Sequence, residues 1–289
     1  MSTIEKAVGK FNSEGPKKGS DSQHGSSKIT SDNEFVEQKK IKGSQIQLPW
    51  NIMQEKGMLT PSDGKSQIAE ELRAIKRPLL KSAFQNASSA NNHNNLIMLT
   101  SSVPGEGKSF NSINLAVSIA MELDRTALLV DADVAKPSIS KYLAIKNNLG
   151  LVDFLQDSNL SLSDVILKTD LPKLSVIPAG SRHNYSTELL ASESMKILMD
   201  ELATRYHDRV VIFDSPPVLA TSETEVLATQ MGQVVVVVEA VNTSKAMLSE
   251  AISKLSNSNV VGLILNKTRV KSGGSTYGYG YGYGDTLPS

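Results

Sequence analysis

The chain has 289 residues, 30 Lys and Arg against 30 Asp and Glu, no Cys, and a hydrophobic share of 39%. That length suits one large α/β domain with an appendage, or two small domains. The missing thiols exclude disulfides and thiolate metal centres, and zero net charge gives no field that would draw in nucleic acid.

Residues 1–66 are rich in Ser, Gly, Lys, Asn and Gln and poor in apolar side chains, which predicts a mostly disordered N-terminal extension. Two pieces of it carry a pattern. Ile4, Val8 and Phe11 recur at helical spacing over Ser2–Phe11, and Trp50 stands among Ile46, Leu48, Ile52 and Met58 in what reads as a strap on the surface of the following domain. No hydrophobic leader follows Met1. The longest apolar run, Val234–Val238, stops at Glu239, far short of the roughly 20 residues of a membrane span. The expectation is a cytoplasmic chain that reaches the inner membrane only through a partner.

From Ser66 the pattern is regular. Ile68, Leu72, Ile75 and Leu79 mark one face of a helix and leave Glu70, Arg73, Lys76 and Arg77 on its surface; Pro78 predicts a break near Arg77. The apolar run Leu96–Leu99 then opens into a Gly/Pro/Ser loop ending in Gly107-Lys108-Ser109, followed by a helix with Ile113, Val117, Ala120 and Met121 facing inward. Further strands are predicted at Ala127–Asp133, Leu174–Pro178, Val210–Asp214, Val234–Glu239 and Val261–Leu265, with helices near Leu149–Leu155, Thr187–Tyr206, Glu223–Met231 and Ser244–Ser256. Six buried strands alternating with helices give an α/β fold with a doubly wound, mostly parallel sheet of the P-loop NTPase kind, over residues 67–270. Ligands of such sheets sit beyond the carboxyl ends of the strands, where the polar signals fall.

The loop over Pro104, Gly105, Glu106, Gly107, Lys108, Ser109 and Phe110 has the composition of a phosphate cradle. Glycine lets successive backbone N–H groups converge on an anion, Lys108 would reach the β- and γ-phosphates of ATP, and the Ser109 hydroxyl would ligate Mg²⁺. The match to G-x-x-x-x-G-K-[ST] departs at the first position, which is Ser102. Asp131 and Asp133 end the second strand and Asp214 the fourth, placed to hold Mg²⁺ directly or through water; a lone strand-end Asp would read equally well as a cap. Asn266, after the last strand, could pair with an adenine edge or be an ordinary turn residue. Residues 271–289 form a Tyr/Gly tail in which Tyr277, Tyr279, Tyr281 and Tyr283 alternate with Gly, predicting a flexible segment with four accessible phenols as phosphoacceptors.

These residues together resemble the bacterial protein-tyrosine autokinases of capsule and exopolysaccharide synthesis. Thr100–Ser109 is similar to the family's TSSxPGEGKS loop, including Ser102; Ala127–Pro137 and Val210–Pro217 (VVIFDSPP) are similar to its second and third motifs, and the Tyr-rich end matches as well. Glu70, Arg73 and Lys76 are similar to an E-x-x-R-x-x-R segment that contributes to a ring of subunits, with Lys76 in place of the second Arg. The resemblance implies Mg·ATP-dependent phosphorylation of the chain's own tail in a neighbouring subunit, with Asp131 as the proton acceptor and Ser109, Asp133 and Asp214 around the metal; Asp131 and Asp133 remain exchangeable in those roles. It also implies a homo-oligomeric ring, a membrane polysaccharide co-polymerase as activator, a tyrosine phosphatase that resets the tail, and no nucleic-acid partner. The alternatives are a MinD/ParA-like positioning ATPase and a non-catalytic ATP sensor. The first is disfavoured by Val103, which stands where that group carries a second Lys.

Overall fold

The computed structural model describes residues 45–85, 93–146, 148–182, 185–205 and 208–268. The Ser2–Phe11 helix and the tail with Tyr277, Tyr279, Tyr281 and Tyr283 lie outside the described residues. In chain order the elements are β1 (Gln45–Ile46), α1 (Trp50–Glu55), α2 (Gln67–Gln85), β2 (Leu96–Ser101), α3 (Lys108–Ala120), β3 (Thr126–Asp131), α4 (Ile139–Tyr142), α5 (Leu151–Gln156), α6 (Leu162–Val165), β4 (Leu167–Thr169), β5 (Leu174–Ile177), α7 (Ser186–Leu189), α8 (Glu193–Thr204), β6 (Arg209–Asp214), α9 (Glu223–Thr229), β7 (Gln233–Glu239), α10 (Lys245–Lys254) and β8 (Val260–Asn266). No helix among them is long and apolar enough to cross a membrane.

The sheet runs β1-β4-β5-β3-β6-β2-β7-β8. From β5 to β8 every pairing is parallel, whereas β4 runs antiparallel to β5 and β1 parallel to β4. The continuous apolar runs are explained by helices on both faces. Along β2, Leu96 and Met98 join one core with Val211, Phe213, Val234 and Val236, while Ile97 and Leu99 join the other with Val210, Ile212, Val235 and Val237. A period of two thus feeds two cores from each central strand. The first core is closed by α5, α8, α9 and α10; the second by α1, α2 and α3.

Several expectations are corrected. Among the described residues eight strands form rather than six, and the last is not buried: Val261, Leu263 and Leu265 of β8 are exposed by 41–62% at the edge of the sheet. β3 ends at Asp131, which leaves Asp133 in the following loop. α2 continues through Pro78, because Leu79 and Ala83 beyond it are anchored in the core and hold the second half in line. The helix expected over Thr187–Tyr206 is two, because Ser192 caps a new start by accepting from Met195 N–H at 3.2 Å. Lys76 is not on the surface: Ala69, Leu72, Lys76, Leu79 and Ala83 form one buried stripe, and Lys76 Nζ reaches the Ser118 carbonyl at 2.8 Å and Glu122 Oε1 at 2.5 Å at the C-terminal end of α3. A cation is favoured at that end of a helix, so the residue is engaged inside the subunit rather than free for a ring contact.

The strap packs inward. Leu48, Met53, Met58 and Leu59 belong to the second core, Asp170 accepts from Leu48 N–H (3.0 Å) and Trp50 Nε1–H (2.9 Å), and Asn114 of α3 accepts from Leu59 N–H (2.6 Å). The packed unit therefore includes residues ahead of 67.

Candidate active site

β2 ends at Ser101, and the chain turns through residues 102–107 into α3. The turn needs glycine at Gly105 and Gly107, whose φ values are 94° and 98°. At Gly107 space demands it too, since a Cβ there would meet Asn266 Nδ2 at 2.0 Å. The first turn of α3 carries Lys108 and Ser109, so the sequence Gly-Lys-Ser delivers a cation and a hydroxyl at a helix N-terminus with free N–H groups.

Beside it, β3 and β6 present acids in register, with Asp131 opposite Asp214. Lys108 Nζ lies 2.6 Å from Asp133 Oδ2, 3.8 Å from Asp214 Oδ1 and 3.4 Å from Ser109 Oγ. Ser112, one turn along α3, has its hydroxyl 3.0 Å from the Lys108 carbonyl and 3.2 Å from Asp214 Oδ1. Asp131 accepts from the Ile139 N–H of α4 at 3.1 Å through Oδ2. Burial opposes the Lys108 charge, but Asp214 and Asp133 outweigh it and raise the amine above the ordinary lysine value. Burial lifts Asp131 well above the usual carboxylate range, with the Asp214 charge adding to it. Burial raises Asp214 as well, against the opposing pull of Lys108.

Five buried oxygens around this cluster have no protein partner among the described residues: Asp131 Oδ1, Asp214 Oδ2, Ser102 Oγ, Ser138 Oγ and Ser215 Oγ. Leaving such an atom unsatisfied costs about 1–3 kcal/mol, so the donor set is incomplete without a ligand. Three acids against one lysine, with hard oxygen donors, suit Mg²⁺, and the loop's amides suit a polyphosphate. Among the described residues no three His, Cys, Asp or Glu side chains converge as a metal cluster. Mg²⁺ does not require one, since it keeps several waters and takes one or two carboxylates plus phosphate oxygens.

A cavity of about 480 Å³ opens on this cluster. One wall is Pro104, Gly105, Gly107, Lys108, Ser109 and Phe110; the other is Asp133, Lys136, Ser138, Tyr142, Pro216 and Pro217. Of the predicted site residues, Glu106, Asn266, Asp131 and Asp214 do not line it; the two aspartates lie fully buried behind Lys108 and Asp133. Glu106 turns away from the cavity: its Oε2 accepts from Val103 N–H at 2.9 Å and its Oε1 from the Thr243 hydroxyl. Asn266, the last residue of β8, donates through Nδ2 to the Glu106 carbonyl at 2.8 Å. Sequence reasoning missed Ser112, Thr243 and Lys267. Ser112 was legible as the residue four after Lys108 on a helix, whereas nothing around Thr243 marks it.

A family model described as an AAA domain matches residues 94–261. The tyrosine-protein kinase YwqD of Bacillus subtilis is 30% identical over 226 residues, 78% of this chain and 91% of its own length. EpsB of Ralstonia solanacearum is 37% identical over 191 residues, 66% of this chain; the match spans only 24% of EpsB. Among solved structures, the kinase domain of the Escherichia coli tyrosine kinase ETK superposes with a TM-score of 0.65 at 25% identity, covering 83% of this chain and 94% of that one. The chimerical protein CapA2B2 gives 0.63 at 28% identity, covering 79% and 94%.

Proposed function

The chain belongs to the bacterial tyrosine-protein kinases, on the AAA-domain P-loop fold, and from that premise we propose that it transfers the γ-phosphoryl group of Mg·ATP to tyrosines of its own tail. The observation that carries this reading is the unfinished charge cluster. Lys108 is shared by Asp133 and Asp214, and one oxygen each of the buried Asp131 and Asp214 stays unpartnered among the described residues, beneath the phosphate loop.

Ser109, Asp133 and Asp214 would hold Mg²⁺, which when bound neutralises phosphate charge as the bond to the leaving diphosphate lengthens. Lys108 serves the β- and γ-phosphates, and the loop amides hold them in line. The oxygen–phosphorus bond to ADP breaks, a bond from the phenolic oxygen of Tyr277, Tyr279, Tyr281 or Tyr283 forms, and the phenol's proton passes to a carboxylate. The family resemblance gives that role to Asp131, with Asp133, which lines the cavity, exchangeable with it. Pro104 and Phe110 border the nucleotide, and the acceptor enters from a neighbouring copy in a ring. Activation by a membrane co-polymerase, resetting by a phosphatase, and control of polysaccharide export complete the proposal.

Transfer between subunits is tested by mixing two chains, neither of which can phosphorylate itself. Lys108→Met with an intact tail is incubated with a tail-deleted wild-type chain and Mg·ATP. Phosphotyrosine on the Lys108→Met tail is the expected result; a tail modified only in cis leaves it bare.

A further inference from the structure

A carboxylate in a phosphate loop opposes the anion the loop exists to bind, so Glu106 needs another explanation. It is 1% exposed, and both oxygens are spoken for, by Val103 N–H and the Thr243 hydroxyl. The first contact closes a three-residue turn across Pro104 and Gly105; the second fastens that turn to the segment after β7. Two carbonyls of the same loop are also held from outside. Lys267 Nζ donates to the Gly105 carbonyl at 2.8 Å and Asn266 Nδ2 to the Glu106 carbonyl at 2.8 Å. Lys267 is fixed in turn by Glu239 Oε2 at 3.0 Å, and Asn242 Nδ2 donates to Glu239 Oε1 at 2.6 Å. Lys267 itself has φ of 57°, a conformation a side chain disfavours and that its two contacts hold.

In a trans peptide the C=O and the next N–H point in opposite directions. Drawing the Gly105 and Glu106 carbonyls toward the ends of β7 and β8 therefore turns the N–H groups of Glu106 and Gly107 the other way, toward the cavity wall formed by Gly105, Gly107 and Lys108. We propose that Glu106, Thr243 and Lys267 are positioning residues that brace the phosphate loop from its outer side, so that affinity for a nucleoside di- or triphosphate depends on side chains that never touch it. The proposal rests on the reading of this loop as a nucleotide site and adds to it which residues set the loop's conformation before the ligand arrives.

The test is calorimetric titration of the full chain with Mg·ADP, alongside thermal unfolding of the ligand-free protein. Glu106→Ala loses both contacts and is expected to weaken binding about tenfold or more, the equivalent of one to two hydrogen bonds. Glu106→Gln keeps an acceptor for Val103 and a partner for Thr243, and should restore most of the affinity. Lys267→Met, at a half-exposed position, should weaken binding with no change in the unfolding temperature. Adding Thr243→Val to Glu106→Ala should cost less than Thr243→Val costs alone, because the contact the two side chains share is already gone and only the Glu239 N–H to Thr243 hydroxyl bond is left to lose. Wild-type affinity in Glu106→Ala and Lys267→Met would overturn the brace. A wild-type chain that fails to bind Mg·ADP would instead remove the nucleotide reading and the brace with it. Weakened binding matched by an equal loss of thermal stability, without rescue by Gln, would make Glu106 a folding residue and also overturn it.

Discussion

Asp131 ends β3 and Asp170 directly follows β4, and the fold uses these two strand-end acids in opposite ways. Asp170 follows β4, which runs antiparallel to β5, so it lies at the end of the sheet opposite the phosphate loop. There both of its oxygens are satisfied, by Leu48 N–H and the Trp50 indole, and it fastens the strap to the domain. Asp131 is more deeply buried yet keeps Oδ1 unpartnered among the described residues, with Asp214 alongside in the same condition. Burial alone would make Asp131 the firmer scaffold residue of the two. Saturation of the lone pairs points the other way: both oxygens of Asp170 are used within the fold, whereas the proposed site acid keeps one for a ligand.

The comparison is sharpened most by Asp131→Asn. Loss of the proton acceptor should lower phosphotyrosine formation about 10²–10⁴-fold. The same variant should be more stable than wild type when free of ligand at neutral pH, since it removes a charge that burial disfavours. The sign follows from the raised pKa. The favourable contribution of protonated Asp131 is fully present below the ordinary value of 3.8 and is lost as pH rises through the folded-state value. The gap in unfolding temperature between variant and wild type should thus be absent near pH 3.5 and widen as pH rises. A variant less stable than wild type at pH 7 would class Asp131 with Asp170.

Asp170→Ala is the converse and carries the smaller effect. It strands the Leu48 and Trp50 donors, for a loss of about 2 kcal/mol and a fall of roughly 4–8 °C in unfolding temperature. Phosphotransfer per folded molecule should be unchanged. A loss of activity at a temperature where the variant is fully folded would show that the strap reaches the chemistry.

The centre of this arrangement was legible in the sequence and its margins were not. Leu96–Leu99, Ala127–Asp133, Val210–Asp214 and Val234–Glu239 announce buried strands because both faces must be apolar, and Gly107-Lys108-Ser109 marks the loop and helix that come after the first of them. β1 and β4 have two and three residues, too few for any period to show. Lys76 was misplaced because a lysine was read by its charge; its position in the stripe with Leu72 and Leu79 was the better guide, since its aliphatic stem packs while the amine finds the end of α3. At the site, Lys108, Ser109, Asp131, Asp133 and Asp214 do come together, as strand ends in one parallel sheet must. The outer contacts of Glu106 join residues more than 130 positions apart, Glu106 with Thr243 and Asn266, through side chains with no local pattern.

The central claim is that this cluster moves a phosphoryl group onto the tail, and intact-mass spectrometry after incubation with Mg·ATP tests it most directly. Wild-type chain should gain one to several phosphoryl groups that map to Tyr277, Tyr279, Tyr281 and Tyr283, and Lys108→Met, with the same fold, should gain none. An unmodified wild-type chain, or equal modification of Lys108→Met, would contradict it.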